Sequence, residues 1–191
     1  VNAAVHAGLG KALEAAELDS AIRVVVLTGA GTKAFCAGTD LKALARGESN
    51  WPDDPEQKRW GWAGVVRHPI GKPIIAAVNG VALGGGTQLA LACDLVIAAG
   101  HAEFGLPEVQ RGIVAAAGGA FRIVRQLPQK LAMEFLLTGD SFPASRALEL
   151  GLANRVVPIA DLMPTALAMA HRIAARVNAC TSPRDVPPAT D

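Results

Sequence analysis

Residues 78–94 read Val78-Asn-Gly-Val-Ala-Leu-Gly-Gly-Gly-Thr-Gln-Leu-Ala-Leu-Ala-Cys-Asp94, and this stretch decides the fold. The apolar run Pro73–Val78 leads into it, and a second such run, Asp94–Ala99, follows it. Both runs are typical of strands that are buried on both faces. Between them, three glycines open a predicted helix over Thr87–Ala92. A strand, a glycine turn and a helix recur three times along the chain, which predicts a spiral of similar α/β units.

The triple glycine also has a chemical interpretation. Backbone N–H groups of Gly84, Gly85 and Gly86 are not shielded by side chains, and they lie at the positive end of a helix dipole. Such groups are suited to stabilise an oxyanion or to bind another anion. Close packing of a strand against a helix also requires glycine, so both interpretations remain open at this point.

A second small-residue turn stands in Lys33-Ala-Phe-Cys-Ala-Gly-Thr-Asp-Leu41, and it also leads into a predicted helix. The N–H of Thr39 precedes Asp40 and supplies a second candidate donor. Two donors from separate turns that converge on one oxygen are what acyl-enolate chemistry requires.

One carboxylate follows in the segment Phe104-Gly-Leu-Pro-Glu108. A proline just before Glu108 places this acid in the first turn of a short helix. The helix dipole favours an acid there in any case, but the apolar neighbours Leu106 and Val109 also suit a raised pKa. Glu108 is therefore a candidate general base.

Composition excludes several classes of protein. The 191 residues carry 18 basic and 17 acidic side chains, so a basic face for nucleic acid has no support. No apolar run reaches the roughly 18 residues of a membrane span. Three cysteines are too few and too scattered for a disulfide framework, and no cluster has metal-ligand spacing. The start of the sequence has no basic region followed by an apolar region, the pattern of a signal peptide, so we expect a cytoplasmic protein.

Together these stretches resemble the crotonase superfamily, the enoyl-CoA hydratase/isomerase family. The resemblance extends from Asn2 to about Arg176 and includes Thr138-Gly-Asp and the segment Ala147–Val157. It implies a spiral of strand–strand–helix units with a C-terminal helical segment, and an acyl-CoA substrate without a separate cofactor. It further implies a homotrimer or a dimer of trimers. Family members usually have a further strand before this region and further helices after it, so the chain is expected to be a truncated version.

The resemblance also implies roles for individual residues. Thr39 and Gly85 fall where family members donate the two N–H groups of an oxyanion hole, and Glu108 falls on a catalytic glutamate. Four further residues fall on the loop that lines the acyl-CoA site: Ala37, Asp40, Leu41 and Lys42.

At Gln88 the sequence departs from the family, which has a second catalytic glutamate there. An amide holds a water molecule by hydrogen bonds but cannot accept its proton at neutral pH. We expect Gln88 to face the β-carbon of the substrate from the side opposite Glu108. The resemblance to hydratases favours hydration, whereas Gln88 favours isomerisation by a single base. Both reactions therefore stay open. The alternative is a catalytically weak subunit that binds acyl-CoA or serves assembly.

The rest of the chain is predicted in outline. Residues 1–137 form the acyl-CoA-binding core, residues 138–180 a helical segment of the trimerisation type, and residues 181–191 a disordered proline-rich tail. Apolar periodicity predicts a helix that contains Trp60, Trp62 and Val66, after a polar loop over Arg46–Gln57.

Overall fold

The computed structural model describes residues 1–49 and 51–177. Its helices are α1 Ala3–Leu18, α2 Leu41–Ala45, α3 Pro55–Arg59, α4 Gly85–Ala92, α5 Gly119–Gln126, α6 Gln129–Thr138, α7 Ala144–Glu149 and α8 Ile159–Val177. Its strands are β1 Val25–Thr28, β2 Ala34–Cys36, β3 Ile74–Val78, β4 Val81–Leu83, β5 Leu95–Ala99, β6 Glu103–Gly105, β7 Ser141–Pro143 and β8 Arg155–Val157. Two 3₁₀ helices, Trp62–Gly64 and Pro107–Arg111, complete the fold. The α/β class and the strand–strand–helix order agree with the prediction.

A first sheet, with strand order β1-β3-β5-β8, is parallel throughout. Every residue of β3 is buried, as expected for a strand covered on both faces. Ile75 and Ala77 pack with Leu162 and Ala166 of α8 on one side. Their neighbours Ala76 and Val78 belong to the larger core on the other side. α4, which follows β4 in the chain, packs in that larger core through Leu89, Ala90 and Leu91.

A second sheet, with order β2-β4-β6-β7, consists of strands of three residues each. The sequence analysis placed β2 in a loop, because three residues are too few for a periodic pattern. The N-terminus of α4 lies directly on β2: a Cβ atom at Gly86 would stand 1.8 Å from the carbonyl oxygen of Cys36. Glycine is therefore required at this position for close packing, whatever else the triple glycine does.

The region between residues 46 and 66 differs from the prediction. Within the expected polar loop, Asp54 caps α3 by accepting a hydrogen bond from the N–H of Glu56. The expected helix around Trp60 is instead one 3₁₀ turn, since positive φ angles at Gly61 (71°) and Ala63 (59°) interrupt a helical path. Trp60 is buried, and Trp62 is the aromatic residue that reaches the site described below.

The segment after residue 137 contributes one strand to each sheet, because β7 pairs with β6 and β8 with β5. The division at residue 138 therefore stays a prediction, and the predicted disordered tail, residues 181–191, lies outside the described residues. Among those residues, no helix is long and apolar enough to cross a membrane. Nor does any group of three metal-ligating side chains occur in this part of the chain.

Candidate active site

A cavity of about 310 Å³ lies where the turn after β2 meets the start of α4 and the 3₁₀ helix Pro107–Arg111. Apolar side chains and glycines dominate its wall, with a small number of polar groups. Its lining residues are Ala37, Gly38, Thr39, Leu41, Trp62, Leu83, Gly84, Gly85, Gln88, Pro107, Glu108, Arg111, Ile113, Val114, Ala116 and Ala117. A mainly apolar pocket with a few convergent polar groups is typical of a ligand site.

The two glycine turns of the sequence analysis meet in this wall. A Cβ atom at Gly38 would stand 3.6 Å from the backbone nitrogen of Gly85, so the turns are in contact. Gly85 is the first residue of α4, where N–H groups have no partner within the helix. Within residues 1–49 and 51–177, neither the N–H of Thr39 nor that of Gly85 donates to another protein group. Both remain available to a ligand oxygen.

Trp62 contacts both turns. Its indole ring covers Gly85 so closely that a Cβ atom there would stand 2.3 Å from the ring. The indole N–H donates to the hydroxyl oxygen of Thr39 at 3.2 Å. One side chain therefore fixes both residues that carry the candidate donors.

Gln88 and Glu108 are joined directly. Gln88 Oε1 accepts from the backbone N–H of Gly119 at 3.0 Å, and its Nε2 donates to Glu108 Oε1 at 2.6 Å. Because an N–H only donates, the bond from Gly119 fixes which end of the amide faces Glu108. The expectation that Gln88 and Glu108 stand on opposite sides of the substrate therefore does not hold. Gln88, nearly fully buried, is a hydrogen-bond donor to the carboxylate.

The second oxygen of that carboxylate has no partner. Glu108 Oε2 is buried and makes no hydrogen bond within the described structure. Burial raises the pKa of Glu108 above its ordinary value, while the hydrogen bond from Gln88 opposes the rise. A buried acceptor without a donor is costly in a folded protein, and such atoms are concentrated at sites of function.

The other predicted loop residues divide into two pairs. Ala37 and Leu41 line the cavity, whereas Asp40 and Lys42 are not among its described lining residues. Asp40 instead caps α2, because its Oδ1 accepts from the N–H groups of Lys42 and Ala43, both at 3.0 Å. The hydrogen bond from Ala43 is the main reason why the pKa of Asp40 is lowered.

Sequence reasoning missed the wall that follows Glu108, which includes Arg111, Ile113 and Val114. The spacing of Arg111 from Glu108 was an indication of this wall. Residues three apart in a 3₁₀ helix lie on the same face, and Arg111 follows Glu108 by three residues. Cys36, the cysteine of the first turn, has its pKa raised by burial. It therefore remains a neutral thiol and is not an activated nucleophile.

Comparisons with known proteins identify the family of the chain. Residues 1–182 match the family described as Enoyl-CoA hydratase/isomerase. The carnitinyl-CoA dehydratase of Proteus mirabilis is 46% identical over 157 residues, which are 82% of this chain and 59% of that protein. The chain therefore spans about three fifths of that curated relative.

Solved structures give the same result. A carnitinyl-CoA dehydratase from Mycobacterium avium is 58% identical, with a TM-score of 0.88 over 92% of this chain and 68% of that chain. An enoyl-CoA hydratase from Mycobacterium tuberculosis is 43% identical, with a TM-score of 0.83 over 98% of this chain and 75% of that one.

Proposed function

This chain belongs to the enoyl-CoA hydratase/isomerase family, and we propose that it moves protons on an acyl-CoA thioester. The N–H groups of Thr39 and Gly85 hold the thioester oxygen as it becomes an enolate oxygen. Glu108 removes and returns the proton. Coenzyme A enters as part of the substrate, and the chemistry requires no separate cofactor.

The observation that carries this proposal is the buried, unpartnered Oε2 of Glu108. This oxygen belongs to a residue of the cavity wall that also contains Thr39 and Gly85. A carboxylate with a raised pKa is a stronger base, because its pKa is closer to that of the carbon acid that it deprotonates. The amide of Gln88 holds Oε1, so Oε2 is the atom left for proton transfer.

Gln88 makes migration of a double bond the favoured reaction. Hydration needs a water molecule that is both held and activated, and Gln88 cannot accept a proton from it. One donor hydrogen of its amide is already bonded to Glu108, and its oxygen already accepts from the N–H of Gly119. A reaction that uses only one base does not need a second carboxylate at position 88.

In that reaction Glu108 Oε2 removes a proton from C2 of a 3-enoyl-CoA. The electron pair of the broken C–H bond enters the conjugated thioester, and its negative charge develops on the oxygen that Thr39 and Gly85 hold. Glu108 then returns the proton to C4, and the double bond moves from C3–C4 to C2–C3. No atom is gained or lost, and the carboxylate is regenerated.

The test is mass spectrometry of 2-enoyl-CoA and 3-enoyl-CoA substrates incubated with the protein in deuterated water. The proposal predicts deuterium at C2 and C4 and interconversion of the two isomers, faster than formation of the 3-hydroxy product. Hydration that outpaces isomerisation would contradict the assignment to one base. Tight binding of both substrates without exchange or turnover would instead support the alternative, an acyl-CoA-binding or assembly subunit.

The proposal extends to the coenzyme and to assembly. Ala37 and Leu41 contact the acyl-CoA at the entrance, and Lys42, exposed beside them, meets the CoA phosphates. Apolar side chains around the entrance are exposed, and we expect further protein to cover them in a homotrimer or a dimer of trimers. Leu41, Ile113 and Val114 line this cavity, and Trp51 and Phe121 line a neighbouring cavity that also includes Trp62. Sedimentation of the protein measures the assembly, and a monomer at micromolar concentration would contradict it.

A further inference from the structure

Arg111 has a defined position in the cavity wall. It ends the 3₁₀ helix Pro107–Arg111 and follows Glu108 by three residues, so both side chains leave the helix on the same face. Gly112 then reverses the chain with a φ of 68°. Glu108 and Arg111 both line the cavity, and Arg111 is the more exposed of the two.

The guanidinium of Arg111 has no partner in the described part of the chain. The ion pairs there join Arg46 with Glu48, Arg59 with Glu56, and Arg146 with Glu149. Within residues 1–49 and 51–177, the arginine side chains that make hydrogen bonds are those of Arg46, Arg59, Arg122 and Arg146, and Arg111 is not among them. Arg111 lies one turn after Glu108 and is the more exposed of the two, so its guanidinium is available to a part of the ligand beyond the carbons that Glu108 contacts.

The surroundings of Arg111 strengthen its interaction with a ligand charge. Ile113 and Val114 follow it in the cavity wall, and Leu83 and Pro107 also line the cavity. A charge at the edge of an apolar cavity is screened less than one in open water. Guanidinium groups bind carboxylates through two parallel hydrogen bonds and repel cations.

We infer that Arg111 selects the acyl group by its charge, and that the substrate class is a short acyl-CoA with a carboxylate beyond its β-carbon. This inference rests on the proposed function. It also separates the chain from a relative named for carnitinyl-CoA, because a carnitinyl group carries a trimethylammonium cation at that position. Aromatic faces usually bind such cations. Trp62 is the one aromatic residue of the described cavity wall, and its ring packs against Gly85.

Three saturated thioesters test this inference, since they differ only in the group on C4 and do not depend on turnover. They are butanoyl-CoA, 4-carboxybutanoyl-CoA and 4-trimethylammoniobutanoyl-CoA, and their Kd values are measured by titration calorimetry. The wild-type protein should bind the carboxylate at least about tenfold more tightly than the cation, as one bidentate charged hydrogen-bond pair at a partly exposed site permits.

Variants of Arg111 assign the effect to this residue. Arg111→Leu should reduce the ratio of the two Kd values to within about threefold, Arg111→Lys should keep a preference for the carboxylate, and Arg111→Glu should reverse it. Arg59→Leu, which removes an exposed arginine from α3 outside the cavity, should leave the ratio unchanged.

The outcomes separate the inference from the proposed function. If the three thioesters bind but Arg111→Leu keeps the wild-type ratio, or if the wild-type protein prefers the cation, the inference is overturned and the proposed function stands. If none of the three binds to the folded wild-type protein, both are overturned.

Discussion

The floor and the rim of the cavity are built in different ways. The floor consists of Gln88 and Glu108 together with the buried first turn of α4, which contains Gly86 and carries Gln88. The amide of Gln88 is bonded at one end to Gly119 and at the other to Glu108. At the rim, Ile113 and Val114 are 58% and 70% exposed. The floor is therefore fixed by packing and hydrogen bonds, whereas the rim is open to solvent.

This difference indicates that the floor serves proton transfer and the rim serves ligand selection. Proton transfer needs atoms held within a fraction of an ångström, which only a packed and hydrogen-bonded region provides. Selection among ligands needs contact with a variable group, which an exposed charge such as that of Arg111 provides. Substitutions on the floor should therefore have large effects on rate or stability, and those at the rim small ones.

The largest effect is expected from Glu108→Gln on the floor. The variant keeps the size and polarity of the side chain but removes its basicity. We expect kcat to fall by about 10²–10⁴ with a modest change in KM. Turnover measured under saturating substrate checks this, with thermal unfolding as the control for folding. Turnover near that of the wild-type protein would remove Glu108 from the mechanism.

Gly86→Ala tests how tightly the floor is packed. The added Cβ atom would stand 1.8 Å from the carbonyl oxygen of Cys36, so backbone must move. We expect the free energy of unfolding to fall by about 3 kcal/mol. Gly8→Ala is the matched control, because Gly8 lies within α1 and its added Cβ atom meets nothing within 4 Å. That variant should be stabilised by up to about 1 kcal/mol. Equal stability of the two variants in urea unfolding would contradict the packing argument.

Gln88→Glu changes the chemistry of the floor at nearly constant volume. The new carboxylate keeps the acceptor for Gly119 and brings a second oxygen to Glu108, so the pair shares one proton. The ratio of hydration to isomerisation of a 2-enoyl-CoA should rise at least about tenfold. Product analysis by mass spectrometry gives this ratio. An unchanged ratio in a folded variant would place Gln88 outside the reacting centre.

Gln88→Leu tests the same contact through pH. The hydrogen bond from Gln88 lowers the pKa of Glu108, so its loss should raise that pKa further above the ordinary value. Only the ionised carboxylate is a base, and activity therefore falls as the pH drops through the pKa of Glu108. The acid limb of kcat/KM should shift to higher pH in the variant. A limb at the wild-type position would show that the amide does not control the carboxylate.

The smallest effect is expected just outside the cavity wall, next to the rim, where Asp40 caps α2. Asp40→Ala removes the acceptor for the N–H groups of Lys42 and Ala43. The free energy of unfolding should fall by about 1 kcal/mol or less, with kcat unchanged. Asp40→Asn keeps an acceptor oxygen and is the control. A loss of kcat comparable to that of Glu108→Gln would end the distinction between floor and rim.

The same contrast explains what the sequence analysis predicted. Apolar runs predicted β3 and β5, because a strand that is buried on both faces has a visible composition. A short extended segment was predicted at Ala102–Phe104, which overlaps β6. The other three-residue strands of the second sheet, β2, β4 and β7, were missed, since partners distant in sequence determine them. The prediction of a helix around Trp60 was wrong, because Gly61 and Ala63 adopt positive φ angles there.

For the site, motif and resemblance identified Thr39, Gly85, Gln88 and Glu108, all of which line one cavity. The hydrogen bond between Gln88 and Glu108 was not predictable, because it depends on the N–H of Gly119, which is 31 residues away from Gln88. Arg111 was overlooked because a lone arginine forms no motif, and its spacing of three residues from Glu108 was the one indication that both lie on the same helix face.

A crystal structure of the protein with butanoyl-CoA tests the central claim most directly, because this thioester resembles the substrate but cannot isomerise. The account predicts that the thioester oxygen lies about 2.7–3.1 Å from both the Thr39 and the Gly85 nitrogen. It also predicts that Glu108 Oε2 lies about 3–3.5 Å from C2 of the acyl group. A thioester oxygen that contacts neither nitrogen, or two nitrogens that point into different cavities, would contradict the account.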